Sequence, residues 1–415
     1  MPKGSSTSPR PAPDQRPRPL RDRVRAVDWR PWLVALYALS VLVVAIPKGL
    51  HHADVTFEIF RGGVLHLLHG QDLYARYADY ADYYKYSPAF AVLFAPFGLP
   101  PRVVGLVLWD GLNALLLAWA VLRLLPDRRG AAVLALIFLE MFGAMQNSQS
   151  NSLVTALVIL AFLALERRRQ LGAALAIALG TAVKIFPLGA AALAVMYPRR
   201  GRFGAIFTGT LLAVFALPLL VVSPHQTAAQ YASWVHFLPR DAMPDSLPGS
   251  GMHTGGIPEQ LRFWFGYARP PWIVEGVGVV LFLIPLLAGA RRWDDPDFRR
   301  RALCSLLVFL VIFNHRAESP SFVIALTGIA IWFVITPRSP LTVTLLVLTL
   351  AIVSLGASSA VPDAIRHGVV MHFRLKTVPC TLAWLAMQAE LLGWRRPGAR
   401  TPDAAAHGTA LAPGR

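Results

Sequence analysis

The sequence predicts an all-α polytopic membrane protein, and three observations support that fold class. Of the 415 residues, 55% are hydrophobic and only 15% are charged, and the mean hydropathy is +0.49. A water-soluble protein with so little charge would lack a polar surface. Apolar runs recur along the chain, and Lys and Arg flank these runs instead of forming one basic face. The basic residues behind the net charge of +17 therefore indicate how the helices are oriented in the membrane. Their distribution argues against nucleic acid as a partner.

The ends of the chain differ from its middle. Residues 1–30 are rich in Pro and Arg, and with residues 397–415 they are predicted to be disordered cytoplasmic tails around one integral membrane domain, residues 31–396. The first apolar run has no small-residue cleavage site, so we expect a retained helix. Cys304 and Cys380 lie in or beside apolar stretches, so no disulfide framework or metal cluster is predicted.

The first helix, about residues 32–47, leads outward into a polar loop, residues 48–88. Asp54, Glu58 and Arg61 share one helical face there, which predicts an interfacial helix with its carboxylates turned toward water or a cleft. Six of the ten tyrosines follow, at positions 74, 77, 80, 83, 84 and 86. Tyrosine is typical of the headgroup level, so we expect an aromatic belt, with sugar stacking as the alternative.

The other apolar runs complete about ten transmembrane helices whose basic flanks are cytoplasmic. Residues 89–97 are too short to cross and are predicted to dip in and return. The remaining full spans are 103–125, 131–145, 152–165, 203–222, 271–290, 302–313, 322–335, 341–355 and 378–394. Residues 223–270 are predicted to form a flexible outside loop over a cavity mouth.

Residues 171–197 break the alternation, because arginines stand at both ends of this run. It is too short for two spans of about 20 residues, and its middle reads AVKIFP. We therefore predict a re-entrant pair of half-helices with Lys184 near the apex. Irregular backbone at that depth requires a cavity lined by protein or water.

Several ordered motifs resemble those of glycosyltransferase family 87, in the membrane-embedded C superfamily. An Asp after the first helix, Asp54, is followed by the sequence motifs GQDLY and YSP, the latter ending at Pro88. Trp109 and Asn113 lie on the second helix. SQSN, with Ser148 in place of a Gly, AVKIFP and NHRAESP complete the set, which covers roughly residues 32–335.

The resemblance implies a C-type fold and an inverting glycosyltransferase. The enzyme would move a hexose, with mannose expected, from a polyprenyl-phosphate donor to a lipid or glycan acceptor at the outer face of the cell membrane. Asp54 matches the catalytic base. Donor phosphate ligands would be His315, Arg316, Lys184, Arg374 and Lys376, and acceptor or sugar contacts Glu58, Tyr86, Gln149, Asn151 and Glu318. Cations can meet the charge of the leaving phosphate, so no cofactor or metal is expected.

Each role has a structural alternative. Asp54 could cap the interfacial helix, and Glu58 could pair with Arg61. Gln149 and Asn151 could satisfy the backbone of their own turn. At the level of the whole protein, the alternatives are a transporter or flippase, which would also use broken helices, and a structural scaffold.

Overall fold

A computed structural model describes residues 27–394, apart from residues 79, 81, 242–254, 357 and 359. The predicted tails, except for residues 27–30, and the centre of the predicted flexible loop lie outside the described residues. The described part consists of helices joined by turns, with one isolated β-bridge between Gly255 and Ala317. The predicted all-α fold class is confirmed.

The helices are bounded as follows: α1 Arg30–His51, α2 Val55–Leu68, α3 Pro88–Gly98, α4 Arg102–Leu124, α5 Arg128–Gln146, α6 Asn151–Glu166, α7 Gln170–Val183, α8 Arg200–Phe215, α9 Pro224–Asp241, α10 Ile257–Phe265, α11 Pro271–Ala288, α12 Pro296–Ile312, α13 Phe322–Ile335, α14 Pro340–Thr349 and α15 Thr377–Leu391. A 3₁₀ segment, Phe186–Met196, follows α7 and is called the 3₁₀ arm. Among the described helices, α1, α4, α5 and α11 are long and apolar enough to cross a membrane, and several shorter apolar helices accompany them.

Proline and polar caps set where several helices begin. Ser87 precedes α3, and its hydroxyl accepts a hydrogen bond from the Phe90 amide, while Pro88 occupies the first helical position. Asp295 caps α12 in the same way, followed by Pro296. The first turn of a helix has amides without partners, so an acceptor at the cap and a residue with no amide hydrogen both suit it.

The arginine-rich turns meet at one end of the helix bundle, here called the basic end. The Arg30 guanidinium donates to the Pro126 carbonyl, which joins the start of α1 to the α4–α5 turn. Arg299 Nε lies 2.5 Å from Glu166 Oε1 and joins the start of α12 to the end of α6. The helix ends with basic flanks, which the sequence predicts to lie on one side of the membrane, therefore meet at one end of the bundle.

Lys48 and Lys184 show which helix ends meet at the opposite end, here called the site end. Lys48 Nζ donates to the Gln146 carbonyl and joins the end of α1 to the end of α5. Lys184, just after α7, donates to Asn151 Oδ1 at the start of α6 over 2.8 Å. Polar groups from distant parts of the sequence therefore converge at the site end.

The run from residue 170 to residue 199 forms the predicted pair of half-helices. Helix α7 ends at Val183, Lys184 has extended backbone, and the 3₁₀ arm returns along α7. Gln170 Nε2 donates to the Arg199 carbonyl over 3.3 Å, so both ends of the pair lie at the basic end. Pro187 helps to end the α-helical geometry because it lacks an amide hydrogen.

Two predicted features are corrected. Much of residues 223–270 is helical, as α9 and α10, and not a flexible loop. Of the six tyrosines predicted to form an aromatic belt, Tyr74, Tyr80 and Tyr84 are buried in the protein, and the other three are half-buried. Tyr80 packs against Gly62 of α2 and Tyr84 packs against Gly63, which leaves no room for larger side chains at these two positions.

Gly105 allows the close approach of α4 to α3. A Cβ at this position would lie 2.1 Å from the Phe97 carbonyl oxygen and 2.9 Å from the Phe57 ring. We expect Gly105→Ala to lower the free energy of unfolding by about 1–3 kcal/mol, because a carbonyl cannot move aside as a side chain does. Thermal denaturation in detergent measures this change.

Gly143→Ala is the matched control, since nothing lies within 4 Å of a Cβ at that α5 position. Alanine should be neutral or stabilising there by roughly 0.5–1 kcal/mol. Equal melting temperatures for the two variants would contradict the packing described for Gly105.

Candidate active site

Asp54 is a buried carboxylate at the start of α2, only 1% exposed. Its Oδ1 accepts a hydrogen bond from Arg102 Nη1 over 2.9 Å, and its Oδ2 is buried without a hydrogen-bond partner. The side chain makes no cap hydrogen bond to α2, so the capping alternative is wrong. Of the two predicted surroundings, water or a cleft, the burial of Asp54 excludes exposure to bulk water.

Arg102 joins the two carboxylates of the first loop. Its Nη2 lies 2.9 Å from Glu58 Oε1, while its Nη1 contacts Asp54. The ion-pair partner of Glu58 is therefore Arg102, and Arg61, the partner considered from the sequence, adds only an electrostatic attraction. Arg102 is the first residue of α4 and was not predicted as a site residue. Arg102 is 48 residues from Asp54 in the sequence, so no local spacing of residues indicates that the two are in contact.

The pKa of Glu58 lies above its ordinary value, chiefly because burial disfavours the ionised carboxylate. Arg102 opposes this shift, and the negative charge of Asp54 adds to it. Glu58 thus holds a proton to higher pH than an exposed glutamate.

The raised pKa predicts a pH dependence of stability. Between the ordinary value of 4.5 and the folded pKa, the native state binds more protons than the unfolded state, so stability falls as pH rises through that window. Glu58→Gln removes this loss. As the pH rises above 4.5, we expect the melting temperature of the variant to increase relative to that of the wild type. A constant difference across the series would contradict the shift.

Asp110 is a second buried carboxylate near the first. It lies on α4, is 1% exposed, and neither of its oxygens has a hydrogen-bond partner. Lys48 interacts electrostatically with both Asp110 and Asp54, which places these groups in one region. An acidic residue within an apolar span is itself a functional signal, and that signal could have identified Asp110 from the sequence.

Lys184 lies in a polar network at the same end of the bundle. Its Nζ donates to Asn151 Oδ1, and Glu318 supplies an attractive charge. Gln149 Nε2 donates to Glu318 Oε2 over 3.2 Å. The side chains of Gln149 and Asn151 therefore reach other segments, and the alternative that they satisfy their own turn is corrected.

Helix α4 connects this network to Asp54. Trp109 Nε1 donates to the Ser148 carbonyl over 2.9 Å, and Asn113 Oδ1 accepts from the Leu153 amide over 3.0 Å. These bonds fix the turn that carries Gln149. The same helix begins with Arg102, so one rigid element positions both groups.

Lys376 is buried beside this network. Its Nζ lies 3.3 Å from Glu140 Oε2 and donates to Ser319 Oγ over 2.9 Å. Arg374 lies 3.7 Å from Glu259 Oε2, and both cations line a small cavity. Ser319 lines the same cavity and directly follows Glu318. Lys376 is a predicted site residue, whereas its partner Glu140 was not predicted.

His315 and Tyr86 make contacts of another kind. His315 Nδ1 lies 2.5 Å from Glu275 Oε1, near the start of α11. The Tyr86 ring packs edge-on against Phe60, with centroids 4.7 Å apart. The backbone amide of Arg316 donates a hydrogen bond to Asn314 Oδ1. These contacts do not connect His315, Arg316 or Tyr86 to the Asp54 carboxylate.

The model of glycosyltransferase family 87 matches residues 84–313, more than half of the chain. The chain belongs to glycosyltransferase family 87. The matched residues include Arg102, Asp110, Asn151 and Lys184, whereas Asp54 and Lys376 lie outside them. Family membership establishes a glycosyltransferase, so it favours the enzyme over the transporter and the scaffold.

Two further comparisons complete the findings. The chain is similar to ArnT from Cupriavidus metallidurans, in a crystal structure bound to undecaprenyl phosphate, with 14% identity and a TM-score of 0.36. That similarity covers 89% of this chain and 78% of ArnT. No curated protein matches the chain.

Proposed function

We propose that this membrane glycosyltransferase moves mannose from a polyprenyl-phosphate donor to a lipid or glycan acceptor, with inversion. Its site would open on the outer face of the cell membrane. Glycosyl transfer comes from family membership, and the donor, the sugar and the stereochemistry come from the motif resemblance. The observation that carries the proposal is the buried Asp54 carboxylate with one oxygen left without a partner.

Asp54 acts as the general base. Its Oδ2 accepts the proton of the acceptor hydroxyl as that oxygen bonds to the anomeric carbon of the donor sugar. The bond between the anomeric carbon and the phosphate oxygen breaks at the same time, and its electron pair leaves with the lipid phosphate. Arg102 holds Oδ1 and thereby orients the free oxygen.

Cations at the same end of the bundle stabilise the departing phosphate. Lys184 interacts with Glu318, and Lys376 binds the adjacent Ser319, so both ammonium groups approach one short segment. Arg374 lines the cavity beside Lys376. His315 and Arg316 lie two to three residues before Glu318 and are the remaining proposed ligands of the donor phosphate. Charge stabilisation in a site that excludes water is a large contribution to catalysis.

The acceptor and sugar contacts fall into two groups. Glu58 shares Arg102 with the base, and the Tyr86 ring packs against Phe60, which lies on the same helix as Glu58. Gln149, Asn151 and Glu318 surround Lys184 and provide amide and carboxylate groups for sugar hydroxyls. In the free enzyme these groups satisfy one another, and a bound sugar would replace some of those hydrogen bonds.

Lys184→Ala should weaken donor binding by roughly ten- to a hundredfold, because a hydrogen bond to a charged group contributes about 1.5–3 kcal/mol. Equilibrium binding of polyprenyl-phosphate-mannose to the purified chain measures this effect. Lys85→Ala is the matched control, since Lys85 pairs with Asp82 in the first loop. Equal affinities for both variants and the wild type would remove Lys184 from the donor site.

A donor panel tests the proposed reaction. Purified protein is given polyprenyl-phosphate-mannose, polyprenyl-phosphate-glucose or a nucleotide-linked mannose, with membrane lipid extract as acceptor. Transfer is expected from the first donor and with an inverted anomeric configuration. Transfer from the nucleotide sugar alone, or retention of configuration, would overturn the proposal.

A further inference from the structure

We propose that a cavity at the basic end binds the phosphate headgroup of an anionic membrane phospholipid. The cavity has a volume of about 530 Å³ and lies between α7, α8 and the 3₁₀ arm. It is at the opposite end of the bundle from Asp54 and Lys184. The inference does not depend on the proposed sugar transfer.

The cavity is lined by four arginines, Arg168, Arg169, Arg199 and Arg202. Within the described residues, none of their guanidinium groups forms an ion pair with a carboxylate. Glu166, two residues before the first of them, is already engaged by Arg299 and by the hydroxyl of Tyr197. Four positive charges therefore surround a space that holds no compensating side chain among the described residues, and guanidinium groups match phosphate oxygens well.

Two helix starts reinforce this charge. Arg169 and Arg199 are the residues that precede α7 and α8, and neither provides a side-chain cap. The first turn of each helix also contains no acidic residue. The amides of those turns lack a side-chain acceptor, and both helix dipoles present their positive ends here. An anion in the cavity would meet these groups as well as the arginines.

The remaining lining distinguishes a lipid from a free phosphate. Leu165, Leu171, Phe203 and Ile206 also line the cavity, so it has a hydrocarbon-like side in addition to a basic one. A soluble phosphate would use only the basic side. A phospholipid presents a charged phosphodiester and acyl chains together, and basic pockets between membrane helices suit such headgroups.

Binding would also affect the half-helix pair. The arginines come from both ends of that pair, where Gln170 already bonds to Arg199. An anion held by both ends should oppose their separation. Occupancy is therefore expected to raise the melting temperature of the whole chain.

The test uses the full chain in nanodiscs of phosphatidylcholine with increasing phosphatidylglycerol. Lipid occupancy is measured by native mass spectrometry and stability by thermal denaturation. For Arg169→Gln/Arg202→Gln, the apparent Kd for phosphatidylglycerol should rise by on the order of tenfold, and the stabilisation should disappear. The control, Arg128→Gln/Arg291→Gln, removes the same charge at the same end from residues that do not line the cavity.

Two outcomes would overturn the proposal. An equal loss of phosphatidylglycerol in both double variants would mean general surface attraction instead of a site. Displacement of the lipid by glycerol 3-phosphate at equal concentration would mean that the apolar walls contribute nothing. The single variants, Arg169→Gln and Arg202→Gln, give the same comparison if a double variant does not fold.

Discussion

Replacing Asp54 with Asn should reduce sugar transfer by about 10²–10⁴-fold, the usual contribution of a general base. Asparagine keeps the size of the side chain, and its oxygen can still accept the hydrogen bond from Arg102. The oxygen that takes the proton is lost, whereas the buried contact is kept. Initial rates measure the effect, with donor affinity and melting temperature as checks that the protein is folded.

Glu58→Gln is the matched control, because Glu58 contacts the same guanidinium. This variant should lose less than about tenfold in rate, since Glu58 is proposed to contact the acceptor or sugar and not to take the proton. Full activity of Asp54→Asn would remove Asp54 as the base. Loss of activity in Glu58→Gln alone would transfer that role to Glu58.

Lys376→Met should lower the free energy of unfolding by about 3–5 kcal/mol, because Glu140 would be left buried without its counter-ion. The two side chains are 5% and 7% exposed at the residue level, and their charged atoms lie 3.3 Å apart. Thermal or denaturant unfolding in detergent measures the change. The expected loss exceeds that of the glycine variant described above.

The double variant Lys376→Met/Glu140→Gln separates stability from function. Removing both charges should restore most of the lost stability, since no unpaired charge is then buried. Donor affinity should stay low if Lys376 also holds the lipid phosphate. A stable double variant with wild-type donor affinity would make Lys376 purely structural.

Much of the fold follows from local sequence features. Basic residues at both ends of one apolar run, with Lys184 and Pro187 at its middle, predict the half-helix pair because proline and charge both disfavour a continuous span. The alternation of the other helices follows from where arginines flank apolar runs. These features depend on neighbours in sequence, so they can be read without a structure.

The site contacts depend on long-range packing instead. Arg102 meets Asp54 across 48 residues, and Lys376 meets Glu140 across 236. Spacing along the chain carries no information about such pairs. Glu140 and Asp110 could still have been singled out as acids within apolar helices, which are costly to bury unless they have a role or a partner.

The tyrosine-rich loop is a second case in which the sequence does not determine the environment of the side chains. Tyrosine suits a membrane interface and a protein core with hydrogen-bond acceptors equally well. The Tyr84 hydroxyl donates to the Ser87 carbonyl, and the Tyr74 hydroxyl donates to the Tyr86 carbonyl, so these rings are buried with satisfied hydroxyls. Composition alone does not separate the two environments.

Asp54 and the cations proposed to receive the donor phosphate lie at one end of the bundle. A cryo-electron microscopy structure of the Asp54→Asn variant with polyprenyl-phosphate-mannose in nanodiscs tests this arrangement most directly. We expect the donor phosphate within hydrogen-bond distance of Lys184 or Lys376, with the sugar between the phosphate and Asn at position 54. Density for the donor's phosphate at the basic end, with the site end empty, would contradict this arrangement.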